Sequence, residues 1–264
     1  MIIDFHAHIF PDTLAPRAVR SLKDGAGDFF TPTHNMTLTG LLDYMDKSEI
    51  DKSVVLPVVT KRTQTETVNN WVSSINNPRI IPFGGMYPMS DDYKEQIDMI
   101  VSLGLKGVKF HAEFQHFTLD DPHMMHVYDY AFEKGLIIIH HAGSDPAFDP
   151  PFHSNPSMFA KVAKELKGGI LIAAHLGGLF QWEEVLEELA GTDIYFDTSM
   201  AEKYGNEELI EAIYKKHGAD KLLFGTDSPW SNSATAVKKM RERNFSAEEL
   251  EKIFHLNAER LLGL

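Results

Sequence analysis

The segment Ile2-Ile3-Asp4-Phe5-His6-Ala7-His8 opens the chain as an apolar strand that ends in two histidines. In a β-strand alternate residues share a face, so Asp4, His6 and His8 would point the same way, with successive members about 6.6 Å apart along the strand. Two imidazoles at this spacing can both reach one small cation, and zinc binds nitrogen ligands at about 2.0–2.1 Å. An isolated His-x-His pair is equally compatible with two packed or surface histidines. The interpretation therefore depends on whether similar residues recur at the ends of later strands.

Short β-branched runs alternate with longer amphipathic segments along the chain. The strand-like runs are 2–8, 52–58, 79–84, 106–111, 136–141, 170–175, 193–197 and 221–226. The helix-like stretches between them are 38–48, 63–76, 91–103, 122–134, 156–167, 180–190, 206–217 and 233–243. Eight strand–helix alternations in 264 residues favour the α/β class, and within it a (β/α)8 TIM barrel over a doubly wound sheet. We therefore expect residues 1–264 to form one domain.

Two further segments complete this pattern. Ser246-Ala-Glu-Glu249 is a capping box, and the apolar spacing that follows it predicts an extra helix at the C-terminal end. The stretch 9–37 is long for a strand–helix connection, and loops of that length are usually functional or disordered. Because this stretch follows the first strand, we expect it to be a loop over the catalytic face that acts as a lid or shapes the substrate pocket.

Composition limits the classes of function. The net charge of −13 disfavours nucleic acid or an anionic membrane as the main partner, which leaves a small-molecule substrate. The chain has no cysteine, so a disulfide framework, a thiolate metal site and a cysteine nucleophile are excluded together. No apolar run reaches the length of a membrane span and no secretory leader is evident, so we expect a cytoplasmic protein without membrane association.

Ionisable residues recur at the ends of the strand-like runs, which is where a barrel of this type places its chemistry. They are His6 and His8 in the first run, Lys109 and His111 in the fourth, His140 and His141 in the fifth, His175 in the sixth, Asp197 in the seventh and Asp227 after the eighth. Each has an ordinary structural explanation when taken alone; the Gly-Thr-Asp-Ser-Pro segment around Asp227, for example, is also a good turn. Six strand ends that carry such residues in register are harder to explain by chance. The whole set predicts a catalytic face that binds metal.

Six short motifs in this order resemble one known family. They are Asp4-Phe-His-Ala-His8, Gly107-Val-Lys-Phe-His111, Gly135-Leu-Ile-Ile-Ile-His-His-Ala-Gly143, Ala174-His-Leu-Gly-Gly178, Tyr195-Phe-Asp-Thr-Ser199 and Phe224-Gly-Thr-Asp-Ser-Pro229. The set is similar to the metal-dependent amidohydrolase superfamily, and specifically to its second amidohydrolase branch. That branch includes aminocarboxymuconate-semialdehyde decarboxylase and related decarboxylases, hydratases and hydrolases. The resemblance covers the whole chain and implies an enzyme, and because members of the branch are often dimers it also suggests a homodimer.

The resemblance also implies which residues bind metal. The ligands would be His6, His8, a histidine of the fifth strand and Asp227, and the position of the family ligand in its motif favours His141 over His140. One divalent ion is usual in this branch, most simply Zn²⁺. Other branches of the superfamily hold two ions through a carboxylated lysine of the fourth strand, so a second metal at Lys109 stays open.

Three imidazoles and a carboxylate leave a coordination position for water, whose pKa a divalent ion lowers toward 7. Asp227 can accept a proton as well as bind metal, and His175 can orient the water or protonate a leaving group. The favoured reaction is hydrolysis of an amide, ester or lactone bond in a small substrate, with substrate contacts from Lys109, His111 and Trp230.

Two alternatives to hydrolysis stay open. The nearer one uses the same metal site for non-oxidative decarboxylation, or for hydration of an unsaturated or aromatic acid, as a lyase would. It requires a cation that binds the substrate carboxylate, for which Lys109, Lys61 and Arg62 are candidates. A buried lysine or arginine aimed at the metal would favour it. The other alternative is a barrel that binds a ligand without catalysis, or whose metal is structural.

Overall fold

Parallel strands form the centre of the fold in the computed structural model, which describes residues 1–29, 31–166 and 168–264. The strands are β1 (Ile3–Ala7), β2 (Lys52–Val55), β3 (Ile80–Pro82), β4 (Gly84–Gly85), β5 (Gly107–Phe110), β6 (Ile137–His140), β7 (Ile170–Ala173), β8 (Tyr195–Asp197) and β9 (Leu222–Leu223). All pairings are parallel and follow chain order, β1 to β3 in one sheet and β4 to β9 in the other.

The two sheets join into a closed barrel at two places. β3 and β4 are two parts of one strand that is interrupted at Phe83. At the other seam, the backbone N–H of Phe5 donates to the carbonyl of Phe224 at 2.8 Å, and Ala7 and Ser228 form a parallel bridge. The result is the (β/α)8 barrel that the alternation of runs predicts, with its third strand split in two.

Helices surround the barrel. They are α1 (Ala15–Ala26), α2 (Leu38–Lys47), α3 (Thr65–Ser73), α4 (Tyr93–Ser102), α5 (Ala112–Gln115), α6 (Pro122–Glu133), α7 (Pro156–Glu165), α8 (Trp182–Glu184), α9 (Ala201–Tyr204), α10 (Glu207–His217), α11 (Ser233–Glu242), α12 (Ala247–Glu251) and α13 (Asn257–Leu262). The segment Val185–Leu189 is π-helical and extends α8. The segment Lys252–Leu256 is also π-helical and joins α12 to α13. Within the described residues, no helix combines the length and apolar character that a bilayer crossing needs.

The C-terminal helix begins where the capping box predicts. The Ser246 hydroxyl accepts from the N–H of Glu249 at 3.2 Å, and the Glu249 carboxylate accepts from the N–H of Ser246 at 2.7 Å. Leu262 at the far end packs into the apolar cluster of Ile3, Phe5 and their neighbours. This helix therefore covers part of the barrel rather than extending away from it.

The stretch 9–37 differs from the sequence-based expectation of a loop. It contains the twelve-residue helix α1, with Pro16 in its first turn. Ala15, Val19 and Leu22 repeat at helical spacing and form the side of α1 that packs on the protein. This spacing predicts a helix, but the length of the stretch favoured its interpretation as a loop. Position 30 of this stretch and position 167, the last residue of the predicted helix 156–167, lie outside the described residues.

The first strand also departs from simple alternation. Its pairing with β2 shifts register between Asp4 and Ala7. Phe5 packs in the apolar cluster with Phe83 and Ile139, and the side chain of His6 also points inward. Asp4 instead accepts from the N–H of Thr226 at 2.9 Å, so the expectation that Asp4 points the same way as His6 and His8 is wrong.

Candidate metal centre

His6, His8 and Asp227 bring three possible ligand atoms to one point at the top of the barrel. The Nε2 atoms of His6 and His8 are 3.2 Å apart. Oδ1 of Asp227 lies 3.1 Å from Nε2 of His8 and 3.6 Å from Nε2 of His6. Three of the four predicted ligands thus meet, although His8 and Asp227 come from opposite ends of the chain.

The partners of the other ring nitrogens define the tautomers of these two histidines. Nδ1 of His8 lies 2.8 Å from the carbonyl oxygen of Leu56, which can only accept, so the proton is on Nδ1. Nδ1 of His6 lies 2.9 Å from Oδ2 of Asp197, an acceptor, so the proton of His6 is on Nδ1 as well. Both Nε2 atoms then present lone pairs to each other and to the Asp227 carboxylate. Three acceptors at this spacing repel one another unless a cation lies among them, so the donor set fits a divalent ion.

Lys109 is the buried cation of this site. Its side chain is only 1 % exposed, and its Nζ lies 3.4 Å from Nε2 of His6. Burial lowers the pKa of Lys109 to about 8, against the opposing effect of Asp197 and Asp227. Burial would raise the pKa of Asp227, but the basic groups around it, Lys109 among them, hold that pKa below its usual value. The site therefore combines an ionised carboxylate with a buried ammonium.

The two histidines of the fifth predicted strand face opposite ways. His141 is in the site, with Nδ1 3.0 Å from Nε2 of His175. His140 points into the helix layer, where the hydroxyl of Tyr128 lies 3.1 Å from its Nε2. His140 and His141 are therefore not interchangeable as ligands. Among the described residues, His141 lies outside the compact cluster of His6, His8 and Asp227.

Asp197 and Ser199 fix the orientation of His175. The Ser199 hydroxyl donates to Oδ1 of Asp197, so it must accept from Nδ1–H of His175, which is 2.8 Å away. Nε2 of His175 then carries a lone pair that faces His141. Nε2 of His141 lies 3.3 Å from the carbonyl of Ser144, which assigns its proton to Nε2 and leaves a lone pair on Nδ1. Two lone pairs that face each other at 3.0 Å form a second place where a cation fits.

The predicted substrate residues take different positions. His111 precedes α5 and stacks on His141 with ring centroids 4.1 Å apart. Trp230 is buried, and its backbone N–H donates to the carbonyl of Asp227 at 2.7 Å. Arg62 is exposed and pairs with Asp92, and Lys61 is exposed as well, which leaves Lys109 as the better placed of the three cation candidates.

Sequence reasoning missed three polar residues around the site: Ser199, Glu113 and Asp145. Ser199 is two residues after Asp197, and Glu113 is two residues after His111, so proximity to a strand end was the available signal. Asp145 lies four residues beyond His141 in a loop, and the sequence contains no comparable signal for it.

Comparisons with known proteins identify the family and the fold. The sequence profile of the family described as Amidohydrolase matches residues 3–264. Among curated proteins, none matches the sequence. Many solved structures share the fold. A TIM-barrel protein from Bordetella bronchiseptica is 19% identical, with 99% of this chain and 98% of that chain covered and a TM-score of 0.77.

Two further solved structures are named as enzymes. A 5-carboxyvanillate decarboxylase from Novosphingobium aromaticivorans, complexed with manganese and a nitrobenzoic acid, is 15% identical, with 100% and 96% of the two chains covered and a TM-score of 0.74. A probable 2-pyrone-4,6-dicarboxylic acid hydrolase from Acinetobacter baumannii, with citric acid bound, is 16% identical, with 100% and 99% covered and a TM-score of 0.69. At these identities the likeness establishes the barrel fold.

Proposed function

This chain belongs to the amidohydrolase family, and from that membership we propose that it is a metal-dependent lyase that decarboxylates a small carboxylic acid without oxidation. The observation that carries the proposal is the buried ammonium of Lys109, 3.4 Å from Nε2 of His6. A cation beside the metal ligands suits a substrate carboxylate, whereas a neutral amide or ester has no need of it. The fold shared with a carboxyvanillate decarboxylase supports the same choice.

His6, His8 and Asp227 would hold the divalent ion, and the position of His141 in its motif makes it the expected fourth ligand, although its ring lies outside their cluster. Manganese in the decarboxylase structure and zinc from the imidazole-rich ligand set are both suitable choices. When bound, such an ion polarises a carboxylate or carbonyl oxygen and so stabilises negative charge that develops on the substrate.

The remaining residues bind substrate and handle the proton. Lys109 pairs with the carboxylate that leaves. The bond between the substrate carbon and its carboxyl carbon breaks, carbon dioxide departs, and a proton replaces it on the substrate carbon. His175 is held by Ser199 with the lone pair of Nε2 toward the site, so it can take up a proton from water there and pass it to the substrate carbon, and Asp227 is the second group that can carry one.

Hydrolysis of an amide, ester or lactone is the second candidate. The facing lone pairs of His141 and His175 favour it, because they could hold a second ion, with a carboxylated Lys109 as a further ligand, and a second ion would suit activation of water. The shared fold of the pyrone dicarboxylic acid hydrolase is consistent with this alternative. The two candidates differ in their products, and two ions per chain would favour hydrolysis.

The test is a product assay on defined metal forms. Purified protein is stripped with a chelator, reloaded separately with Mn²⁺ or Zn²⁺, and incubated with two panels, one of aromatic and unsaturated carboxylic acids and one of esters and lactones. We expect release of carbon dioxide from the acids, abolished by the chelator and reduced at least about 100-fold in Asp227→Ala. Asp91→Ala, an exposed aspartate in a loop, is the matched control. Turnover of esters or lactones alone would replace the lyase with the hydrolase, and full activity in Asp227→Ala would contradict both.

A further inference from the structure

Asp145 carries a carboxylate at the opening of the barrel, and no cationic side chain among the described residues neutralises it. Its side chain is 13% exposed, and its contact among the ionisable side chains is Nε2 of His111, 3.1 Å from Oδ2. In the described ranges, no lysine or arginine lies within ion-pair distance of this carboxylate. A partly buried carboxylate of this kind retains unused lone pairs that can accept further hydrogen bonds.

The loop that carries Asp145 is held firmly. Oδ1 of Asp145 accepts from the N–H of Ala147 at 2.8 Å, and the N–H of Ser144 donates to the carbonyl of Leu179 at 2.9 Å. At Gly143, which has a φ of +86°, an added Cβ would lie 2.3 Å from the nitrogen of Leu179. The backbone therefore approaches its neighbour too closely for a side chain, and the position of Asp145 does not depend on a flexible loop.

His111 is the side chain that binds the Asp145 carboxylate. Its Nε2–H donates to Asp145, which leaves Nδ1 as an acceptor 3.8 Å from Oε2 of Glu113. Both of these atoms are buried without a hydrogen-bond partner. Burial raises the pKa of Glu113, which favours a neutral carboxyl group at this position. His111 is thus held between two carboxyl groups, and Asp145 is the one that faces the opening.

The same cluster is poorly suited to a metal ion. His111, His141 and Asp145 bring possible ligand atoms within 4.8 Å of one another. The two imidazole rings are nearly parallel, however, with an interplanar angle of 14°. In-plane lone pairs on parallel stacked rings do not converge on one point, so a shared ion would lie well out of both ring planes. A hydrogen-bond donor is the better partner for Asp145.

An aromatic surface lies beside this acceptor. The ring of Phe114 is 4.6 Å from that of His111, and the ring of Phe148 packs edge-on against Phe114 at 4.8 Å. Both phenylalanines are only partly buried, and Phe148 is three residues from Asp145 on the same loop. These rings therefore place an apolar surface beside the Asp145 carboxylate.

We propose that Asp145 is a specificity-determining residue: it accepts a hydrogen bond from a hydroxyl or ammonium substituent of the substrate, whose apolar part lies against Phe114 and Phe148. This role rests on the proposed function, since it assumes that the same pocket takes a small carboxylic acid. Lys109 and the ion held by the metal ligands would bind the acid group, and Asp145 would bind the donor substituent at the other end of the molecule.

Calorimetric binding to the metal-loaded protein tests this role without requiring turnover. The probes are benzoates with a methyl, a hydroxyl or an aminomethyl substituent, each in the meta and para positions. We expect the best donor-bearing probe to bind about tenfold more tightly than its methyl counterpart, as a hydrogen bond to a charged group implies. Preference for the hydroxyl or for the aminomethyl group identifies which donor the pocket takes.

Asp145→Asn is the decisive variant. When its single amide oxygen accepts from the N–H of Ala147, an NH₂ group replaces Oδ2, faces Nε2 of His111 and can no longer accept a hydrogen bond from a donor substituent. We expect the tenfold preference to disappear, whereas Asp149→Asn, an exposed change of the same charge in the same loop, should keep it. Thermal unfolding of both variants checks that the fold is retained.

Three outcomes would overturn the role of Asp145: equal binding of all probes to the wild type, no binding of any probe, or an unchanged preference in Asp145→Asn. Carbon dioxide release is measured on the same preparations. A preference for donor-bearing probes without carbon dioxide release would contradict the decarboxylase and leave the role of Asp145 standing. Carbon dioxide release without that preference would contradict the role of Asp145 and leave the decarboxylase standing.

Discussion

Nδ1 of His6 lies 2.9 Å from Oδ2 of Asp197, a residue 191 positions later in the chain. This contact directs the other ring nitrogen of His6 toward His8 and Asp227. The same carboxylate accepts from the backbone N–H of His175 at 3.1 Å. One residue at the end of β8 therefore orients both a candidate metal ligand and a candidate acid.

Replacing Asp197 with Asn should weaken metal binding by roughly 10–100-fold, because the carboxylate that fixes the His6 tautomer is lost. The dissociation constant is measured by competition with a chromogenic chelator. Asp193→Asn, an exposed change just before the same strand, is the control and should bind metal like the wild type. Equal affinity in Asp197→Asn would mean that His6 is oriented by something else.

Gly143→Ala should destabilise the protein by more than about 2 kcal/mol, because the methyl group would overlap the backbone of Leu179 and the φ of +86° would be strained. Gly104 has a similar φ of +73° but open space around it, so Gly104→Ala should cost only about 1 kcal/mol. Urea denaturation gives both free energies of unfolding. Similar losses in the two variants would show that the close approach at Gly143 has no energetic weight.

His217 should make the protein less stable in mild acid. Its ring stacks on Phe196 at 3.8 Å, Nδ1 accepts from the N–H of Gly191, and burial lowers its pKa from 6.5 to about 4. A histidine with a lowered folded-state pKa binds fewer protons in the native than in the unfolded state. The stability it contributes is therefore complete above pH 6.5 and is lost as the pH falls from 6.5 toward 4.

The measurement is the free energy of unfolding across this range in His217→Gln. We expect the slope of stability against pH to be smaller than in the wild type by up to about 1.4 kcal/mol per pH unit, the effect of one proton. His126→Gln, at an exposed histidine of α6, should leave the slope unchanged. An unchanged slope in His217→Gln would mean that this imidazole is not buried in solution.

Sequence alone predicted the barrel and most of its elements, because apolar periodicity reports burial directly. It could not predict the bulge in β1, since a register shift depends on how two distant strands pair. For the same reason Asp4 was grouped with His6 and His8 but bonds to Thr226. The role of Asp145 depends on the fold of a loop, and no period in the sequence encodes that. Strand ends are predictable, whereas loop contacts are not.

Lys109→Met distinguishes a lysine that binds the substrate carboxylate from one that helps to hold two metal ions. If Lys109 binds the substrate carboxylate beside a single ion, the variant should keep one metal ion per chain and lose affinity for carboxylic acids about tenfold or more. If Lys109 bridges two ions as a carbamate, the wild type should contain two ions per chain and the variant no more than one. Plasma mass spectrometry gives the metal content and calorimetry gives the affinity.

Lys106→Met, at an exposed lysine just before the same strand, is the control for the loss of a lysine in general. Full metal content together with unchanged acid binding in Lys109→Met would remove Lys109 from both mechanisms, because a buried ammonium 3.4 Å from Nε2 of His6 would then serve only the fold.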